Sequence, residues 1–159
     1  METPLIISSF SGDYRWLSNF WPAPVTLDTV VYPTVEHAYQ AAKFPNDLMS
    51  GVNRRNGTPM TMRELIHSVP TPGGAKKYGR WKGIRADWNE VKIRVMHDLV
   101  KQKFTHRDLA DKLRATGHAE LIEGNYWNDR FWGVCGGIGH NHLGQILMLV
   151  RSELGAGDA

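Results

Sequence analysis

The chain has a single cysteine, Cys135, in 159 residues. No internal disulfide can form, which fits a reducing, cytoplasmic setting. No apolar run approaches the roughly 18 residues that a membrane span needs. The Met-Glu-Thr-Pro start has no basic stretch followed by an apolar one, so no secretory leader is expected. Internal repeats and low-complexity tracts are absent, which excludes solenoids and disordered linkers. Metal-binding patterns are missing too. His140-Asn-His142 comes without an HExxH, a cysteine pair or an acidic cluster, and on an extended chain its two rings would point to opposite sides. It reads better as a polar helix cap than as a ligand set. Cys135 has no triad pattern around it. Gly136-Gly-Ile-Gly139 precedes the last helix but fits neither the Walker nor the dinucleotide pattern, so a phosphate site there is not favoured.

What is present suits one enzyme-sized domain, expected over residues 1–154 with a frayed tail at 155–159. Hydrophobic residues make up 42% and charged residues 22%, values that permit a real core without a metal or disulfide staple. The net charge of +3 is unevenly spread. Residues 54–94 hold ten Lys and Arg against only Glu64, Asp87 and Glu90, so that segment carries +7 and the remainder −4. A basic middle suits a phosphate-bearing ligand or nucleic acid, and a solvated basic face would look the same. The six tryptophans are numerous for this length. Trp21, Trp88, Trp127 and Trp132 stand among polar residues, where indoles can stack on a base as well as fill a core.

Local patterns predict an α+β fold, mainly helical, with a small N-terminal sheet. Residues 5–10 read as a strand, and Val25 to Leu27 and Val30 to Tyr32 read as a hairpin turning at Asp28-Thr29. Thr34 is an N-cap for a helix ending near Phe44 before Pro45. Residues 45–60 read as loop. Further helices are expected over Thr61 to Ser68, Ala75 to Trp81, Asp87 to Phe104, His106 to Ala115, and from Asn141 to Gly155. Pro70 to Gly74 reads as a break between two of them. In the longest, Asp87 and Glu90 form a box-like cap, and Trp88, Val91, Val95 and Leu99 share a face widened by Met96 and Val100. Glu120 to Glu123 is expected as a strand.

Two segments carry chemistry. In Glu36-His-Ala-Tyr-Gln-Ala-Ala-Lys43, the residues Glu36, Tyr39, Gln40 and Lys43 fall at helical spacing on one face. Val35, Ala38, Ala41 and Ala42 back them with small groups suited to close packing. An organised polar stripe on an alanine backing suits a cleft wall, although a solvated face would give the same spacing. There, Glu36 can move protons, with the helix dipole favouring its ionised form. A desolvated Lys43 can attack a sugar C1. The second segment, Asn125 to Gly133, sets Tyr126, Trp127, Phe131 and Trp132 around Asn128, Asp129 and Arg130. Asp129 can accept two ribose hydroxyls, and Trp127 or Trp132 can stack on a base. An ordinary Asn-Asp turn is the plainer reading.

Four blocks together resemble the YbiA-like, or NADAR, family of N-glycosidases. They are Leu17-Ser-Asn-Phe-Trp-Pro22, Tyr32 to Phe44, Arg85 to Lys92 with Met96 and Lys103-Phe104, and Asn128 to Gly133 followed by Asn141-His-Leu-Gly144 and Leu147-Met148. They span about residues 10–152. The resemblance implies a YbiA-like fold and a hydrolase that removes a base or amine from a ribosyl C1. Its substrates would be ADP-ribose on guanine, in nucleosides, DNA or RNA, or phosphoribosylamino-pyrimidine intermediates of riboflavin synthesis. It implies Glu36 and Lys43 as catalytic residues, the lysine through an imine. It also implies ligand contact at Asn19, Trp88, Asp129 and Trp132, and neither metal nor cofactor. Asp129 is placed with the catalytic pair, and Phe20, Tyr39, Gln40, Arg85, Trp127 and Asn128 with the substrate-binding set. A non-catalytic ADP-ribose or nucleic-acid reader is the rival, and retention of both Glu36 and Lys43 speaks against it. Two departures stand out. Relatives read Trp-Gly-Asp where this sequence has Trp132-Gly-Val134-Cys135, and the stretch from Pro45 to Met60 is longer than in bacterial YbiA-like members.

Overall fold

The architecture comes from a computed structural model that describes residues 3–155; residues 156–159 of the expected tail lie outside it. The fold is α+β and mainly helical. Its strands form four separate two-stranded pairs among the described residues, distributed along the chain rather than gathered at the N-terminus. β1 (Ile6–Ile7) runs parallel to β6 (Glu120–Leu121) and is much shorter than residues 5–10. β2 (Val25–Leu27) and β3 (Val30–Tyr32) make the expected hairpin, with both turn residues at positive φ, 46° for Asp28 and 71° for Thr29. That is the turn hand that matches strand twist.

Helix α1 (Val35–Ala42) is capped by Thr34, whose side chain accepts the His37 N–H at 3.0 Å. The chain then departs from the expected loop. β4 (Met49–Asn53) and β5 (Pro59–Thr61) pair antiparallel around an Asn56-Gly57 turn, with Gly57 at φ 86°. α2 (Met62–Ser68) starts in a full capping box between Thr61 and Glu64. α3 (Pro72–Tyr78) begins within the stretch that reads as a break. Thr71 caps it and Pro72 opens it, because proline's fixed φ suits a first helical turn whose N–H would be orphaned anyway.

α4 (Trp88–Lys103) crosses behind α1 and packs on α6 (His142–Glu153) and β2. Its buried side chains are Trp88, Met96, Leu99, Val100 and Lys103, while Val91 and Val95 are only partly covered. Asp87 does not cap it through its side chain; both carboxylate oxygens are taken by Arg85, at 2.6 and 2.9 Å. α5 (Arg107–Ala115) lies against α6. β7 (Gly124–Asn125) and β8 (Val134–Cys135) are a short parallel pair that closes the loop between them. Asn141, at φ 54°, precedes α6 without capping it. Its side chain instead ties Glu123 N–H and Leu121 C=O. No helix among the described residues is long and apolar enough to cross a membrane.

Candidate active site

The polar stripe of α1 forms the floor of a cavity of about 790 Å³. Glu36, Tyr39, Gln40 and Lys43 all line it, as helical spacing requires. Asn19 and Phe20 enter from the segment before β2, Lys76 from α3, and Glu123, Tyr126, Trp127, Asp129 and Trp132 from the loop after β6. The alanine backing does what small residues do. Ala38, Ala41 and Ala42 are buried, so α1 sits close to its neighbours with its functional groups turned inward.

Each polar group on the stripe is held. Gln40 Nε2 donates to Glu36 Oε1 at 2.8 Å, and the Glu36 N–H donates to the Asn19 carbonyl at 3.2 Å. Gln40 Oε1 is buried without a donor. Tyr39 lies between two indoles. Trp132 Nε1 donates to its hydroxyl at 3.1 Å, and the Trp88 ring is 5.1 Å away. Lys43 Nζ donates to the Gly79 carbonyl at 3.4 Å and stands 5.6 Å from the Tyr39 ring centre. A Cβ at Gly79 would lie 1.7 Å from Gln40 Oε1, so the Gln40 amide would have to shift to admit a side chain there.

Burial is the largest cause of the shifts in Glu36 and Lys43. It raises the Glu36 carboxyl above the usual range, and the Gln40 hydrogen bond, Lys76 and Lys43 only partly offset it. The helix dipole, which favours ionised Glu36 in the first turn, is the weaker influence. Burial also lowers the Lys43 ammonium, against the pull of Glu36. A buried acid shifted toward keeping its proton and an amine shifted toward losing one suit acid-assisted departure and nucleophilic attack. Among the described residues none of Glu36, Lys43, Lys76, Glu123 or Asp129 joins an ion pair.

Glu123 escaped the sequence reading, which took it as the end of a strand; its only signal is a lone acid closing the apolar pair Leu121-Ile122. Its backbone is fixed by Asn141 Oδ1 and by Val134 N–H, both at 2.9 Å. Its Oε2 accepts from Asn125 Nδ2 at 3.0 Å and rests against Gly133, where a Cβ would come within 1.8 Å of it. The carboxylate seated on that glycine is Glu123. Burial, the Asp129 charge and the Glu36 charge push Glu123 up to about 7, although Asn125 and Lys76 act the other way. Lys76 and Tyr126 were also missed, one inside the basic run and the other as an ordinary loop aromatic.

Asp129 lines the cavity with an oriented carboxylate. Its Oδ1 accepts the N–H groups of Phe131 and Trp132 at 3.1 and 2.9 Å, and Asn125 clamps its backbone on both sides. Three residues named with the substrate-binding set are not in the lining. Arg85 is committed to Asp87. Trp88 is buried behind Tyr39. Asn128 is exposed at φ 67°, the turn residue of the plainer reading. The His140 and His142 rings stack 5.5 Å apart at 16°, not on opposite sides, because Asn141 between them is left-handed. Among the described residues no group of three His, Cys, Asp or Glu is placed to hold a metal.

The NADAR domain family profile matches residues 8–155. This chain belongs to the NADAR domain family. It is 36% identical over 157 residues to the N-glycosidase YbiA of Escherichia coli strain K12, covering 96% of this chain and 89% of that one. An N-glycosidase of Nostoc punctiforme is 38% identical over 146 residues, covering 89% of this chain and 86% of the relative. A riboflavin biosynthesis protein of Vibrio vulnificus is 36% identical over 157 residues, but this NADAR chain spans only 39% of its length. The NMR structure of E. coli YbiA superimposes with a TM-score of 0.76 at 36% identity, covering 97% of this chain and 86% of YbiA. The YbiA likeness therefore extends over the whole NADAR cavity and its supporting helices.

Proposed function

We propose that this enzyme, an N-glycosyl hydrolase by family, cleaves the ribosyl C1–N bond of ADP-ribosylated guanine in nucleosides or nucleic acid. The observation that supports this most is the shared cavity. Glu36 and Lys43 open into one hollow large enough for a nucleotide, unpaired with each other and shifted by burial in the directions the chemistry needs. Glu36, assisted by Asp129, gives a proton to the departing guanine nitrogen as its bond to C1 breaks. The Lys43 amine forms a bond to C1 and loses a proton, and ring opening leaves an imine. Water adds to the imine carbon and expels the amine, which frees the sugar and restores Lys43. Lys76, which lines the same cavity, suits the substrate's phosphates.

The riboflavin naming of the Vibrio relative favours a second substrate, a phosphoribosylamino-pyrimidine, on the same groups. Side-by-side turnover separates the two: release of ADP-ribose from ADP-ribosylated guanine DNA should exceed release of amine from the pyrimidine. Borohydride added during turnover should trap a ribosyl adduct that Lys43→Ala abolishes. An adduct surviving that substitution would move the nucleophile elsewhere. Tight binding with no cleavage of either substrate would make the protein a reader.

A further inference from the structure

Beyond the catalytic wall, the cavity mouth is edged by aromatics that the fold leaves in water. Phe20 is 42% exposed, Trp127 49% and Tyr126 91%, and all three line the cavity. Large aromatic surfaces normally seek cover, yet here they ring an opening. Two of them are organised. Tyr126 meets Trp127 edge to face with ring centres 5.1 Å apart. Lys76 reaches over from α3 to put its Nζ 5.5 Å from the centre of the Trp127 ring. That lysine comes from a different element, pinned by the Thr71 cap and by buried Ala75 beside it. Among the described residues no carboxylate pairs with Lys76. It is also near enough to Glu36, Lys43 and Glu123 to act on their protonation. A phosphate at Lys76 therefore lies close to the reacting groups, while the indole lies further out.

We infer that Lys76, Tyr126 and Trp127 form an outer subsite that sets substrate size, with Lys76 holding a phosphate and Trp127 stacking a second nucleobase distal to the scissile bond. This rests on the hydrolase reading for its inner half, but the outer half stands on the rim alone. An unpartnered cation beside an open indole is the pairing that phosphate-linked bases use. A substrate with one phosphate and no distal base uses Lys76 only. A dinucleotide-sized substrate uses the whole rim. The subsite thus selects diphosphate-bridged ligands over mononucleotides without touching the bond that breaks.

The test compares two guanine adducts, one carrying ADP-ribose and one carrying ribose 5-phosphate. Trp127→Ala should lower the ratio of their kcat/KM values by about tenfold, mainly through KM for the larger substrate. Trp127→Phe should restore most of that ratio. Lys76→Ala should raise KM for both adducts. An unchanged ratio in Trp127→Ala, or equal losses on both substrates, overturns the subsite. If the wild type cleaves neither adduct, the hydrolase reading has failed and binding decides the rim separately. ADP-ribose should then bind Trp127→Ala about tenfold more weakly than wild type, with a smaller change for ribose 5-phosphate. Equal changes for both ligands overturn the inference.

Discussion

Two charged regions of this protein use the same side chains in opposite ways. At the corner of α2 and the β4–β5 hairpin, two arginines are paired with carboxylates. Arg54 is paired with Glu64, and Arg63 donates to Asp28 at 2.6 Å and to the Phe44 carbonyl at 2.8 Å. Nearby, Arg85 is taken by Asp87. Around the cavity, three acids and two lysines stay apart from one another. Paired charges near a surface add little stability, and their partners hold Glu64, Asp87 and Arg85 more firmly in the charged form. Of the charges held apart, Glu36, Glu123 and Lys43 pay desolvation and shift their pKa values, a pattern that clusters at working sites. The basic excess of residues 54–94 is therefore not one phosphate surface. Arg54, Arg63 and Arg85 serve the fold, and Lys76 serves the cavity.

The comparison breaks most visibly at Glu123. With its carboxyl raised to about 7, it exchanges a proton in the neutral range. Glu123→Gln should remove an inflection near neutrality from the pH–rate profile. A profile that keeps its break there would assign the break to another group.

The next effect concerns stability. Lys103 is 1% exposed, donates to the Ser18 carbonyl at 2.8 Å, and is lowered by burial to about 7. The unfolded chain binds this proton below its usual value near 10.5, whereas the folded chain binds it only below about 7. Stability is thus fullest above 10.5 and is lost as pH falls toward 7. Denaturant melts should show unfolding free energy rising across that window by on the order of 2 kcal/mol. Lys103→Met should flatten the rise, and an unaltered slope would place its origin elsewhere.

The smallest effect sharpens the contrast from the paired side. Arg54→Ala should change stability by less than about 1 kcal/mol and leave turnover within about twofold. A large rise in KM would return that corner to substrate binding.

Sequence spacing made the cavity floor legible, because Thr34 and Pro45 bound α1 and one helical face carries all four polar groups. The far wall was not legible to the same degree. Glu123 is brought to Asp129 by the β7–β8 closure and the Asn141 ties, contacts between segments that no local period records. Arg85 and Asn128 misled for the converse reason: a neighbour two residues on claims the arginine, and the asparagine is used for its left-handed backbone. The hairpin at 49–61 was missed because its strands bury little. Only Ser50 is buried in β4 and only Met60 in β5, so the usual alternation is absent.

The hydrogen that Gly79 carries in place of a side chain has a wider meaning. It lets α3 close on α1 at a point where a Cβ would meet both the Gln40 amide and the Lys43 amine. The seat of the Lys43 amine is thus governed by backbone proximity at a position outside the cavity lining. A substitution at that position would reshape the cavity floor while every residue that lines it stays the same.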